Sequence, residues 1–525
     1  MAECFLGIDL GTSAVKALVV DEAGLLRGMG SAEYPTHHPR PGYAEQDPND
    51  WWTATVAAVR QATGWLPPDL KVAGIGLSGQ MHGTVLLGAD EKAVTPAVIW
   101  SDQRSRRQVE TLTQRAGAER IIDLTGSALA TGFQAATIAW FIQEKSSLWW
   151  RARHVLLPKD ELRRRLTGEL ATDPGDASGT LLLDARWRDW SPAMLDLVGI
   201  EQERLPPVTE SIAIAGELRA VSADALGLPP GTPVVVGSGD AACGMLGSGT
   251  VDSSTVLLSL STGAQVMIAA RGVHPDPCGR THTFCSALEP TAERTGWYTM
   301  GATMAAGMAL KWLRDEMLQV PGDDAYDRMT GWAREAAIGA GGLLFLPYLA
   351  GERTPHMDSE ARGAFLGLAT HHSRGDVVRS VLEGITFACL DAYDVLVEQG
   401  ASPERIVMTG GGARSPFWRQ LVADVFDLPV RGLATTNQAA IGAAVLAAVG
   451  IRQIDPLAAA GIWAQLGPAV EPSAARNRRY QELHAMFRDA YQAVIGLSHR
   501  LGEFERSVHQ GAAKPDSAAR LMRPR

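Results

Sequence analysis

Apolar residues come in short runs at the start of this chain, set off by small-residue turns. Residues 5–8 form one run, the DLGTS stretch at 9–13 is a turn, and 14–20 form a second run. Strand, small turn, strand is the pattern of a hairpin. Positions 51–63 carry apolar residues at helical spacing, and 72–77 form a buried strand ending at Ser78 and Gly79. A further strand at 233–236 ends at Gly237, Ser238, Gly239 and Asp240. The pattern then restarts, with a strand at 256–260, a turn at Ser261, Thr262 and Gly263, and a strand at 265–269. Helices between strands predict an α/β fold with largely covered sheets. The repeated opening predicts two similar halves meeting in the Gly/Ser-rich piece at 244–254. The expected organisation is a first domain over 1–247, a second over 248–455, and helices with a polar tail over 456–525. The tail from 512 to 525 is expected to fray.

Composition narrows the class. A chain of 525 residues needs two or three cores. With 46% hydrophobic and 20% charged residues it is globular. Its net charge of -10 repels phosphate backbones, which argues against nucleic acid as a partner. Five cysteines, an odd number with no CxxC pair, predict reduced thiols rather than a disulfide framework or zinc knuckle. The opening MAECFLGIDLG has no basic segment before its apolar run, so no signal peptide is expected. The apolar stretch at 439–451 is too short and Gly-rich to cross a bilayer and reads as a buried helix. The expected setting is cytoplasmic, with no membrane partner.

The opening turn has the parts that phosphoryl transfer needs. Gly11, Thr12 and Ser13 offer backbone N–H groups and hydroxyls with little bulk. Asp9, at the strand end, is placed to hold Mg²⁺ through water, and Lys16 to neutralise charge. An ordinary hairpin with Asp as a turn residue explains the same letters. A second turn bearing Thr262 and Gly263 favours the phosphate reading, since two opposed hairpins grip a triphosphate from both sides.

The motifs GIDLGTS at 7–13, LSLSTG at 258–263 and TGGGA at 409–413 together resemble the actin-like ATPase superfamily. Within it the chain resembles the FGGY family of carbohydrate kinases. Gly363, Phe365, Gly367, Leu368, Asp376, Ser380, Leu382 and Glu383 follow the spacing of that family's C-terminal signature. The resemblance implies two actin-like (ribonuclease H-like) domains with ATP and Mg²⁺ in the cleft between them. It implies Asp240, in G-x-G-D, as the base that takes the proton of the attacking hydroxyl. It also implies an adenosine site near Gly307, Gly410, Gly411 and Ser415. Relatives are often dimers, so a homodimer is an expectation of the same kind.

The segment SGQMHG at 78–83 lies at a strand's C-terminal end, where open α/β sheets place ligands. It resembles the QMHG motif of the xylulokinase branch. Gln80, Met81 and His82 are thus expected to meet the sugar, together with Trp100 and Asp102 of a W-x-D-x-R segment. Plainer readings stand beside these: Arg104 simply pairs with Asp102, and Asp240 caps a helix. The expected reaction is ATP-dependent phosphorylation of D-xylulose to D-xylulose 5-phosphate. A kinase for ribulose, rhamnulose or glycerol, or a non-catalytic nucleotide switch, are the alternatives. A dinucleotide-binding dehydrogenase is disfavoured, because Gly237, Gly239 and Gly244 do not form GxGxxG. Thr137, Ala241, Ser261 and Gly263 depart from the residues common in the family, which leaves fine sugar preference open.

Overall fold

The computed structural model describes residues 2–67, 69–433, 437–452 and 454–512. The fraying expected beyond 512 lies outside the described residues.

The chain begins with β1 (Ala2–Leu10), β2 (Ala14–Asp21) and β3 (Leu26–Glu33), an antiparallel meander. Helix α1 (Pro48–Thr63) starts three residues before its apolar spacing does, because Asp47 caps it by accepting from Asn49 N at 2.8 Å. Next come β4 (Leu70–Gly79), α2 (Pro158–Thr167), β5 (Ile214–Glu217), β6 (Pro233–Val235), β7 (Ser238–Gly239) and α3 (Asp240–Gly247). They complete a seven-stranded sheet of order β5-β6-β4-β1-β2-β3, with β7 also paired to β4. β4 runs parallel to β1 and to β6.

The second half repeats this design. Its strands are β8 (Thr255–Leu260), β9 (Ala264–Ala270), β10 (His282–Cys285) and β11 (Trp297–Thr303). Helix α4 (Arg374–Glu398) follows, then β12 (Arg405–Gly410), α5 (Pro416–Phe426), β13 (Val430–Leu433), α6 (Gln438–Arg452), β14 (Leu466–Val470) and α7 (Ala474–Ala512). The second sheet also has seven strands, ordered β10-β11-β9-β8-β12-β13-β14. Its middle strands copy the first sheet: an antiparallel meander through β11, β9 and β8, then β12 and β13 parallel to β8. This is the actin-like α/β plan written twice. Helix α4 begins at a capping box, in which Ser373 Oγ accepts from Asp376 N at 3.4 Å and Asp376 Oδ2 accepts from Ser373 N at 2.8 Å.

Helix α6 belongs to the second half by sequence yet packs on the first sheet. It lies so close that a Cβ on Gly7 of β1 would fall on the Ala440 carbonyl oxygen. One on Gly442 of α6 would fall on the Cys243 carbonyl oxygen of α3. The buried Ala-rich face of α6 suits this contact: Ala440, Ala443, Ala444, Ala447 and Ala448 are fully enclosed.

Gly442→Val is therefore expected to cost about 2–3 kcal/mol or more through overpacking. Gly331, a half-buried position in the helix Ala325–Glu335 with nothing near its missing Cβ, is expected to gain about 0.4–1 kcal/mol as Gly331→Ala. Urea unfolding of both variants checks the pair; equal stability would show that α6 does not depend on backbone contact.

Candidate active site

Asp9 lies inside β1 rather than in the turn. The ladder continues to Leu10, with Asp9 opposite Lys16, and the Ser78 hydroxyl donates to Asp9 Oδ1 at 3.0 Å. Burial pushes the Asp9 carboxyl up, while Ser78 and Lys16 pull it back. Asp240 is the first residue of α3, one position past the cap residue Gly239, so it is not the N-cap. Its half-buried carboxyl is pushed up to about 7, chiefly by burial and then by the charge of Asp9, with the amides at the helix start opposing.

Asp9, Lys16 and Asp240 line a cavity of about 350 Å³ with Ser259, Ser261 and Gly410. A second cavity, of about 560 Å³, is lined by Thr262, Gly307, Lys311, Tyr326, Arg414 and Ser415 among others. Ser261 and Gly411 belong to both, so the two form one trench running between the sheets. Its adenosine-sized end is apolar with a few polar groups, as such sites are. The Ser261 turn is braced by the segment after β11: Gly307 N donates to Ser261 O at 2.8 Å, and Met308 N to Thr262 O at 3.0 Å. Gly410 takes a positive φ of 81° beside the Leu260 carbonyl, which a side chain would meet. Ser415 lines the cavity, but its hydroxyl also caps α5 by accepting from Trp418 N at 3.2 Å.

The first turn is held from behind. Gly11 N donates to Ala14 O at 3.2 Å, and the Tyr34 hydroxyl donates to Gly11 O. Thr12 and Ser13 keep exposed surface. Trp100 Nε1 donates to Thr12 Oγ1 at 2.9 Å, so this indole braces the first turn. Gln80 is buried, and its Nε2 donates to Gln46 Oε1 at 2.8 Å. Gln46 in turn donates to Thr12 O at 2.7 Å and Thr36 Oγ1 at 2.7 Å, and accepts from Trp51 Nε1 at 3.0 Å. Gln80 Nε2 thus reaches the first turn through Gln46, while its buried Oε1 has no hydrogen-bond partner among the described residues.

Asp102 needs a correction. It is 1% exposed, and both oxygens are taken: Arg104 donates to Oδ1 at 2.9 Å and to Oδ2 at 2.8 Å, and Ala44 N donates to Oδ2 at 2.7 Å. Arg104 itself is stacked over Tyr43 and Trp140, with its centre 4.0 and 5.0 Å from their rings. The pair braces the 42–46 segment and leaves no oxygen for a sugar hydroxyl. Met81 is buried beside Gly239, the residue before Asp240, where a Cβ would meet its side chain. His82 adopts φ 71°, and its Nδ1 donates to Gly179 O at 2.7 Å. Burial, opposed by that bond, holds its ring down to about 4.

Behind Asp240 lies a group that the motifs did not reveal. Lys159 Nζ sits 2.7 Å from Asp160, 3.1 Å from Asp173 and 3.8 Å from Asp176, all fully buried, and Arg163 is 2.8 Å from Asp160. Burial opposes ionisation of Asp160, yet Lys159 and Arg163 keep its carboxyl below the usual range. Burial drives Asp176 well upward, and neither of its oxygens has a hydrogen-bond partner. Asp173 ties the group to β7 by accepting from Ser238 Oγ at 2.6 Å. The sequence signal was the density of charges, KDELRRR and TDPGD, within an otherwise enclosed stretch.

Comparison with known proteins agrees with this layout. The family models described as FGGY family of carbohydrate kinases, N-terminal domain and C-terminal domain match residues 4–247 and 256–451. A xylulose kinase of Escherichia coli is 35% identical over 495 residues, covering 94% of this chain and 99% of that protein. A xylulose kinase of Bacillus subtilis is 34% identical over 504 residues, covering 96% and 99%. The crystal structure of a xyloylose kinase from Brucella ovis superposes with a TM-score of 0.87 at 34% identity, covering 94% of this chain and 100% of that one.

Gln46→Leu is expected to strand Thr12 O, Gln80 and Trp51 together and to lower stability by about 2–4 kcal/mol. The KM for ATP should rise several-fold as the phosphate turn loosens. Urea unfolding and steady-state kinetics check both; an unchanged KM for ATP would show that the Thr12 turn holds its shape without this relay.

Proposed function

The chain belongs to the FGGY family of carbohydrate kinases, and from that premise we propose that it phosphorylates D-xylulose at O5. The products are D-xylulose 5-phosphate and ADP, and ATP is the phosphoryl donor. The observation that carries the reading is the continuous trench, which leads from an adenosine-sized cavity past the Ser261–Thr262 turn to Asp240, with Asp9 and Lys16 of the first hairpin in its wall. Relatives named xylulose kinase that match nearly end to end support the choice of sugar.

In this reading the adenosine lies against Gly307, Gly411 and Ser415. The turns bearing Thr12 and Thr262 hold the phosphates from opposite sides. Met81, His82 and Asp240 meet the ketose. As the sugar O5 forms its bond to the γ-phosphorus, the bond from that phosphorus to the β–γ bridging oxygen breaks, ADP leaves, and Asp240 accepts the O5 proton. A carboxyl pushed up to about 7 is a far better acceptor near neutrality than an ordinary one. The His82 Nδ1–H is committed to Gly179, so its neutral ring presents Nε2 as an acceptor for a sugar hydroxyl.

The donor set also fits Mg²⁺. Asp9 and Asp240 face one cavity with Lys16 as the only cation among its described lining residues, and hard divalent ions take such carboxylate oxygens through water. Asp9 is the residue to hold it, and when bound the ion neutralises charge on the phosphates.

Free cysteines throughout the described residues suit the reducing cytoplasm. A homodimer is the assembly this reading favours. The exposed row Leu497, Leu501, Phe504 and Val508 along α7 supplies the apolar surface, and sedimentation is the check.

The decisive assay is Mg²⁺-dependent ADP release against D-xylulose, other pentuloses, rhamnulose and glycerol. D-xylulose should lead, and Asp240→Asn should lose about 10²–10⁴-fold of the sugar-dependent rate while still binding ATP. The base works ionised, so kcat/KM should climb about tenfold per pH unit below about 7 and level off above it. A leading rhamnulose or glycerol would move the substrate, and an active Asp240→Asn would remove the mechanism.

A further inference from the structure

The sugar residues named so far, Met81, His82 and Asp240, all come from the first half of the chain. The second half supplies the facing wall through β10 and β11. The Tyr298 hydroxyl donates to Met81 Sδ at 3.8 Å, and the Phe284 ring lies 5.9 Å from that of His82. His282 stacks on Phe284 at 5.5 Å with 9° between the planes. Phe133, from the first half, completes the group, 4.0 Å from His82 and 5.8 Å from His282. The result is a basket of rings that spans both halves and contains two imidazoles, one from each.

The two imidazoles differ in what they have left to bind. His82 has its Nδ1 taken by Gly179. His282 has no hydrogen-bond partner for either nitrogen among the described residues, and its Nδ1 is shut off from water. A polar nitrogen enclosed without a partner is costly and rare in a native protein, unless a ligand supplies the bond. Burial first, and then the charge of Arg353, keep both rings neutral, His82 at about 4 and His282 at about 3. A neutral imidazole offers one donor and one acceptor, the complement of a hydroxyl and not of a phosphate.

We propose that His282 is a specificity-determining residue, reaching from the second half to hydrogen-bond a ketose hydroxyl other than the one phosphorylated. The proposal rests on the ketose-kinase reading above. It makes sugar recognition a property of both halves, so that a ketose is fully read only when the cleft is assembled around it. A site built to bond a particular hydroxyl rejects the analogue that lacks it, because its own polar group is then left unpaired.

The test compares wild type, His282→Phe and His282→Gln on D-xylulose and on its deoxy analogues lacking one hydroxyl at a time. The Phe variant keeps the ring stack and removes both nitrogens. It should raise the KM for the ketose at least tenfold with the KM for ATP unchanged. One deoxy analogue should be at least tenfold poorer than the full ketose for wild type and no poorer for His282→Phe. His282→Gln should recover part of the loss. The proposal is overturned if His282→Phe keeps the wild-type KM for the ketose, or if every deoxy ratio is the same in both proteins. Should the Phe variant not fold, the same ratios measured on His282→Gln and His282→Leu decide it, Gln retaining and Leu losing the discrimination. A wild type that turns over no ketose at all instead overturns the substrate reading, an outcome separate from an active enzyme whose variants are indifferent.

Discussion

Where α6 crosses β1 and α3, backbone rests on backbone. Any side chain at Gly7 or Gly442 would occupy the space of a carbonyl oxygen, so the three segments can meet only as they do. Helix α6 comes from the far part of the chain and is laid on the first sheet by this contact. Its leading residues, Gln438 and Ala439, line the same cavity as Asp9 and Asp240. One packing constraint therefore ties the halves together and sets the floor of the cleft. The sheets then present their hairpin turns to each other across it.

The electrostatics divide sharply on either side of that floor. Inside, Lys159 and Arg163 are enclosed with Asp160, Asp173 and Asp176, and the opposite charges pair with one another, while burial drives the Asp176 carboxyl well upward. In the cleft, Asp9 and Asp240 share a pocket with Lys16 alone among its lining residues, and both carboxyls are pushed upward. A protein built only for stability would not leave two carboxylates so poorly matched. In the proposed mechanism this imbalance supplies the base and the carboxylates for a divalent cation that phosphoryl transfer to an alcohol requires.

Much of the fold was legible because its signals are local. Strand, small turn, strand at 5–20 and again at 256–269 became β1–β2 and β8–β9, and the apolar stretch at 439–451 became the buried α6. Turn composition likewise singled out Thr262 and Gly410, which line the cleft, while of the first hairpin Asp9 and Lys16 line it. What failed to show was pairing between distant residues. Nothing near Asp102 announces that Ala44 N would claim one of its oxygens, although Arg104, two residues on, was the plain partner. Gln46 reads as an unremarkable polar residue until four groups from separate segments converge on it. His282 lies on a short strand in the half that carries the nucleotide motifs, so no motif points from it toward the sugar.

The proposed chemistry depends on Asp240 being a carboxyl whose ionisation is held back by burial and by Asp9. The most direct measurement is an NMR titration of the Asp240 side-chain carbon in wild type and in Asp9→Asn. The expected result is a midpoint near 7 in wild type that drops in Asp9→Asn. A wild-type midpoint near that of an ordinary aspartate, unmoved by Asp9→Asn, would contradict it.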